Sequence, residues 1–170
     1  MLGQQGWHVR DGRLVIGQRL YVEPGTAMSL GRDALLAGLH ANIRKAIERL
    51  VEDHLDVAIF KSFKAINNRV KEMSSLDLDG SKLMDATLNV TNPKIRFADL
   101  SSQTGKDVQQ GLHFLFKGAV QAFRNPDAHE QFRLLDEEEG LEVLAFASML
   151  MRRLVRADTA SQNSSQESAQ

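Results

Sequence analysis

The residues best suited to chemistry lie in one short stretch, residues 123–130, which reads Phe-Arg-Asn-Pro-Asp-Ala-His-Glu. Arg124 and His129 stand five positions apart, and Asn125 and Pro126 follow the arginine directly. An arginine is a permanent cation that can hold two phosphate oxygens, and a histidine exchanges protons near neutral pH. These residue types, with Asn125 to orient either group or the phosphate, are suited to phosphoryl chemistry on RNA.

Pro126 predicts how the backbone would position these groups. Proline disfavours the helical conformation of the residue before it, so a preceding helix should end near Arg124 or Asn125. Asparagine is a good N-cap and proline a good first helical residue, so a new helix can begin here. Arg124 and His129 would then occupy the N′ and N4 positions of the new helix, whose side chains touch in the hydrophobic-staple geometry. The N–H groups of the new helix start would add an anion-binding element.

The spacing alone is not specific, because Arg49 and His54 fit the same pattern. That pair ends an amphipathic run, where cations most simply stabilise a helix C-terminus. Arg124 and His129 differ in having the Asn-Pro break between two apolar helical runs. A structural ion pair at a capped helix junction remains an alternative explanation for them.

The composition is that of a single globular domain. The chain has 170 residues, 42% of them hydrophobic, with 21 Lys and Arg against 22 Asp and Glu. This near balance argues against a protein that coats nucleic acid non-specifically. The absence of cysteine excludes disulfides, thiolate metal sites and a cysteine nucleophile. No signal peptide or bilayer-long apolar segment is visible, which indicates a cytoplasmic protein without a membrane partner.

The chain divides into three parts. Residues 1–28 form an appendage, in which residues 7–16 predict a small β-hairpin with a turn at Asp11 and Gly12. Residues 29–158 predict an all-α domain, an antiparallel bundle of four to five helices. Residues 159–170 are rich in Ser and Gln and predict a disordered tail.

Apolar spacing of three and four residues places the helices of the central part. One helix is expected from Leu35 to Val51 and a second from Asp56 to Met73, with Val57, Phe60, Phe63, Ile66, Val70 and Met73 inside. A short helix ends near Leu88, and residues 89–104 read as a loop whose composition permits mobility. Two long helices follow, 105–124 and 136–157. The last of these helices has a carboxylate cap at Asp136. It is apolar nearly all round, so it should be buried on several sides, and packing against a second copy of the chain is one way to bury it.

A polar stripe runs along the 105–124 helix. Gln110, His113, Lys117, Gln121 and Arg124 follow one another at three or four residues. An ordinary solvated face explains this pattern. The functional alternative is an RNA-binding groove in which His113, Lys117 and Gln121 follow the phosphates towards Arg124.

Residues 39–155, about two-thirds of the chain, resemble the HEPN superfamily of all-α domains, and in particular a prokaryotic group found in defence-linked or mobile-element proteins. The matching pieces are residues 58–72, 76–80, 111–116, 123–130 and 144–154. The most specific is Arg-Asn-Pro-x-Ala-His at 124–129, on which the family's Arg-x(4–6)-His motif falls.

The resemblance implies an antiparallel helical bundle, a homodimer and, in active members, metal-independent ribonuclease activity without a cofactor. Asn125 stands where the family often has a polar residue after its arginine. Toxin-like members also imply a further protein partner or antitoxin. Other members are non-catalytic modules for dimerisation or nucleic-acid binding, and that function remains the alternative for this chain.

The favoured mechanism is attack of an RNA 2′-hydroxyl on its own phosphodiester. His129 would transfer a proton and Arg124 would stabilise the charge that builds on the phosphate. One chain offers one such histidine, whereas the reaction uses both a base and an acid. A two-fold dimer that pairs the motif regions would supply both.

Overall fold

The computed structural model of this chain describes residues 6–10, 13–17, 24–47, 50, 54–124 and 136–167. Two compact units are present, Met1–Ala34 and Leu35–Gln170. The boundary falls inside a helix, later in the chain than the division between residues 28 and 29 that the sequence suggested.

The first unit contains two short strands, β1 (Gly6–Arg10) and β2 (Arg13–Gly17). They pair antiparallel, with Trp7 opposite Ile16 and Val9 opposite Leu14. The expected turn at residues 11 and 12 lies outside the described residues, so the complete hairpin stays a prediction. The first unit also includes most of α1 (Pro24–Gly38).

The second unit is all-α, which confirms the predicted fold class. It contains the end of α1, then α2 (Ala41–Ile47), α3 (Leu55–Ser74), α4 (Gly80–Leu88), α5 (Gln103–Arg124) and α6 (Glu137–Glu167). The described residues therefore hold six helices, more than the four or five predicted. None of these helices has an apolar stretch long enough to cross a bilayer.

The extra helix arises because the predicted helix from Leu35 to Val51 breaks after Gly38. The backbone N–H of His40 leaves the helical ladder and donates to the Ser148 hydroxyl of α6 at 2.8 Å. The His40 ring nitrogen Nδ1 then accepts from the N–H of Asn42 at 3.2 Å, at the start of α2. A hydrogen bond to a distant helix thus ends α1, and no local sequence signal encodes that bond.

The core is built around α3, which contacts α2, α4, α5 and α6. Its predicted inner stripe is correct at Phe63, Ile66 and Val70, each fully buried. The start of the stripe is wrong, because Phe60 is 37% exposed and Ala58 and Ile59 take the buried positions. Phe63 stacks on Phe123 of α5, with ring centroids 4.9 Å apart.

The last helix begins as predicted and ends later. Asp136 Oδ1 accepts from the N–H of Glu139 at 2.8 Å, which confirms the carboxylate cap. The helix continues beyond the expected end near Ala157 to Glu167, because residues 158–167 contain neither proline nor glycine to stop it. Arg152, in the middle of this helix, donates from its guanidinium to the Gly38 carbonyl at the end of α1.

The segment between α4 and α5 is anchored to the helices on both sides. Buried Gln109 donates to the carbonyls of Leu88 and Ile95 at 2.9 and 3.0 Å, and accepts from the N–H of Phe97 at 2.8 Å. The Ile95 side chain is 3% exposed. One side chain of α5 thus fixes a segment for which the composition had permitted mobility.

We expect Gly105→Ala to destabilise the fold by about 2–4 kcal/mol. A Cβ at Gly105 would lie 1.7 Å from the Asp99 carbonyl oxygen, so the anchored segment would have to move. Gly38→Ala is the control, because a Cβ there would meet no atom of the described part of the chain within 4 Å. Urea unfolding measures both variants; equal stability of the two would contradict the close approach at Gly105.

Candidate functional site

Arg124 is the last residue of α5, where the Asn-Pro pair was predicted to end that helix. Its side chain is only 18% exposed, and its guanidinium donates to Oδ2 of Asp79, the N-cap residue of α4. Asn125 and His129 lie outside the described residues. The contact between Arg124 and His129 therefore stays a prediction, whereas the position of the arginine is determined by its carboxylate partner.

Asp79 is in turn fixed by Asn67, a residue of α3 that is 1% exposed. The Asn67 amide nitrogen donates to Asp79 Oδ1 at 2.6 Å, and its oxygen accepts from the N–H of Gly80 at 3.0 Å. Gly80 has φ 57°, a left-handed conformation that favours glycine. Asn67, Asp79 and Arg124, which we call the arginine-anchoring cluster, join α3, α4 and α5.

The cluster keeps the Asp79 carboxylate ionised. Its partial burial raises the pKa, but the hydrogen bonds from Arg124 and Asn67 and the arginine charge outweigh that effect and lower it overall. A carboxylate that stays charged holds the guanidinium in one orientation, because the pair can form well-aligned charge-assisted hydrogen bonds.

An open groove lies beside the loop that carries Asp79. It is lined by Asn68, Lys71, Glu72, Ser75, Leu76 and Asp77. The Lys71 ammonium binds Asp77 Oδ1 at 2.6 Å, and this bond raises the pKa of the lysine. The charges of Asp79 and Arg124 also act on Lys71. The groove and the arginine-anchoring cluster are therefore electrostatic neighbours.

The predicted RNA-binding residues of α5 do not form an open groove. His113 is 7% exposed, and its Nε2 lies 2.9 Å from Asp85 Oδ1 of α4. The Lys117 ammonium binds the other carboxylate oxygen at 2.8 Å. Gln121 is exposed. The prediction that the stripe faces outward is thus wrong for His113, because the Asp85 carboxylate draws it into the contact between α4 and α5.

Asp85 is ionised for a similar reason to Asp79. The hydrogen bond from Lys117 is the main cause of the lowered pKa of Asp85. Burial raises this pKa by less than the Lys117 bond lowers it, and the hydrogen bond from His113 lowers it further. Asp79, the cap residue of α4, and Asp85, within α4, therefore each bind cationic or polar side chains of α5. No role was predicted for Asn67, Asp79 or Asp85 from the sequence, although Asn67 and Asp79 lie in the matching pieces 58–72 and 76–80.

Metal ligation has no obvious location in this part of the molecule. No group of three or more His, Cys, Asp or Glu side chains that could hold a metal ion occurs among the described residues.

Comparison with protein families gives one match. Residues 37–154 fit a family described as "Protein of unknown function (Hypoth_ymh)". The chain belongs to this family. The Hypoth_Ymh match spans 118 of the 170 residues, more than two-thirds, and includes the whole arginine-anchoring cluster. The chain has no significant match among curated proteins or among solved structures.

Replacing Asn67 should be costly. We expect Asn67→Ala to lower the free energy of unfolding by about 2–3 kcal/mol, because the Gly80 N–H and one Asp79 oxygen would lose buried partners. Asn68→Ala is the matched control, since the Asn68 side chain lines the open groove; it should change stability by less than about 0.5 kcal/mol. Urea denaturation measures the free energy of unfolding of both variants. A loss at Asn67→Ala as small as that of the control would show that Asn67 does not anchor the cluster.

Acid should weaken the folded state through Asp79. Its pKa is lower in the folded chain than in the unfolded chain. The unfolded chain therefore takes up protons first, so the stabilisation is present above about pH 4 and is lost as the pH falls through the folded pKa. The stability difference between wild type and Asp79→Asn, measured by urea unfolding at several pH values, should shrink below that pH. A difference that stays constant would contradict an ionised Asp79 in the cluster.

Proposed function

We propose that the chain is a metal-independent endoribonuclease of HEPN type. The observation that supports this best is the placement of Arg124. A guanidinium at the end of α5 is fixed by Asp79, immediately before Asn125 and five residues before His129. Catalysis by charge stabilisation needs donors that are already oriented before the reaction, and the arginine-anchoring cluster provides that orientation.

The proposed reaction needs two proton transfers. The 2′-oxygen of a ribose attacks the adjacent phosphorus and loses its proton to a base, and the bond from phosphorus to the 5′-oxygen breaks as that oxygen gains a proton from an acid. The products are a 2′,3′-cyclic phosphate and a 5′-hydroxyl. His129 acts as one of the two proton-transfer groups. Arg124 stabilises the phosphate charge, and Asn125 orients the phosphate or either side chain.

The second proton-transfer group is proposed to come from a second copy of the chain. A two-fold homodimer that pairs the motif regions would place one His129 as base and the other as acid. The proposed substrate is RNA rather than DNA, because only RNA carries the 2′-hydroxyl that acts as nucleophile.

The RNA is proposed to approach over α3 rather than along α5. His113 and Lys117 are bound to Asp85, so of the three proposed RNA-binding residues only Gln121 lies fully on the surface. The proposed approach is instead the groove lined by Lys71, which is itself bound to Asp77 but shares an electrostatic environment with Arg124. Lys61 and Lys64 are exposed at the preceding positions along α3 and would extend a basic path for the phosphates.

The biological setting proposed for this activity is a cytoplasmic defence or toxin system. A ribonuclease of that kind would need a controlling protein partner or antitoxin, which the resemblance also implies.

A second function is favoured by the same ion pair. Arg124 is largely buried and bound within a network that joins three helices. In a non-catalytic dimerisation or nucleic-acid-binding module, that structural bond would be its entire role. The two functions differ in one respect, which is whether RNA is consumed or recovered intact.

The purified chain should cut single-stranded RNA in the presence of EDTA and leave 2′,3′-cyclic phosphate ends. His129→Ala should lose at least about a hundredfold in rate, because general acid–base catalysis contributes roughly two to four powers of ten. Arg124→Ala should lose a similar factor. Product analysis by gel electrophoresis and mass spectrometry measures rates and ends.

The control variants are Arg49→Ala and His54→Ala, which carry the same spacing outside the proposed site and should cleave RNA at close to the wild-type rate. His54 lies exposed at the N-cap of α3. Activity that persists in His129→Ala, or that requires a divalent metal, would show that the mechanism is wrong. Intact RNA bound by a folded, inactive protein would favour the binding module.

A further inference from the structure

One face of α5 leaves large apolar side chains in solvent. Val108 is 40% exposed, Leu115 46% and Phe114 63%. The other exposed large apolar residues in the described part of the chain are Phe60 and Leu78, which lie on α3 and on the loop after it. Three such side chains along two turns of one helix form a patch of the kind that marks an interaction surface.

The same face carries two glycines inside the helix. A Cβ at Gly111 or Gly118 would meet no atom of the described residues within 4 Å. Glycine is unfavourable in a helix interior relative to alanine, because it adds backbone freedom to the unfolded chain. Packing among the described residues does not use these gaps, whereas a partner that approached the helix closely would fill them.

Apolar and small residues of this face repeat with the spacing of a coiled-coil seam. The intervals alternate between four and three residues. The seam consists of Thr104, Val108, Gly111, Leu115, Gly118 and Ala122. All six are exposed to solvent, and Phe114 flanks them.

We infer that this seam packs against the same seam of a second copy, with the two α5 helices antiparallel. In an antiparallel pair, each seam residue that follows a four-residue interval lies opposite one that follows a three-residue interval in the second copy. In a register centred on residue 113, Val108 lies opposite Gly118 of the second copy, and Leu115 lies opposite Gly111 of the second copy. By symmetry each pair occurs twice. Each large side chain therefore meets the gap left by a glycine.

Complementarity of the seam with itself selects a second copy as the occupant. A parallel pair would oppose Leu115 to Leu115 and Gly111 to Gly111, so large residues would separate the helices where the glycines need close approach. The apolar helix α6, which the sequence had suggested as a seam, is covered within the chain by α2 and α3. Leu144, Leu150 and Leu154 of that helix are fully buried.

This contact is separate from the proposed ribonuclease site and does not depend on it. The two Arg124 residues would be separated by 22 residues of antiparallel helix, or about 33 Å at 1.5 Å per residue. The α5 pair therefore leaves both motif regions outside the contact, and the motif pairing proposed above would use a second, separate two-fold contact.

The first test compares two leucine substitutions on α5. Gly118→Leu should raise the dimer dissociation constant at least about tenfold, because it fills the gap for Val108. Lys106→Leu places the same residue on an exposed position away from the seam and should leave the dimer intact. Light scattering after size-exclusion chromatography measures mass, and circular dichroism checks the fold. A monomeric wild type, or a dimer unaffected by Gly118→Leu, overturns the inference.

The second test uses the absence of cysteine from the chain. Val108→Cys and Gly118→Cys proteins should form a disulfide only when mixed, because the register puts these positions opposite each other. Two copies of residue 108 would lie about 15 Å apart along the pair, beyond the reach of a disulfide. A disulfide in Val108→Cys alone would show a parallel pair, and no disulfide in the mixture would place the dimer elsewhere. Either result overturns the inference and leaves the ribonuclease proposal untouched.

Discussion

The side chain of Asn67 connects the three helices on which the candidate site depends. Its amide leaves α3 inside the core, accepts from the first N–H of α4 and donates to the cap residue Asp79. Asp79 then holds Arg124 at the end of α5. A buried amide is unfavourable unless both its ends are hydrogen-bonded, so the position of each partner is narrowly determined. This one residue therefore fixes the start of α4 and, through Asp79, the side chain of Arg124.

The polar side chains of α5 show how structural and functional roles overlap. Gln109 binds the segment between α4 and α5, His113 and Lys117 bind Asp85, and Arg124 binds Asp79. Four polar residues of an amphipathic helix thus stabilise its packing against α4 and the segments next to it. Arg124 differs from the other three by its place in the chain, directly before the Asn-Pro break.

The sequence predicts features that depend on near neighbours. The end of α5 before Pro126, the cap at Asp136 and the buried positions Phe63, Ile66 and Val70 all follow from local spacing or local backbone preference. These effects act over one or two helical turns.

Features that depend on distant partners were not predictable in this way. The break after Gly38 needs the hydroxyl of Ser148, and the burial of His113 needs the carboxylate of Asp85. Such partners come together only in the folded chain, because they are far apart in sequence. The same limit applies to the candidate site: Arg124 could be selected from its motif, whereas Asp79 and Asn67 could not be assigned to it.

The anchoring of the segment between α4 and α5 also affects how that segment exchanges its amide hydrogens. The Phe97 N–H is bound to Gln109, and the N–H groups of Lys94 and Ile95 both donate to the Thr87 carbonyl. These amides lie outside any helix or strand, but they can reach solvent only when the bonds to α4 and α5 open. Local opening of the segment therefore requires its bonds to both α4 and α5 to break.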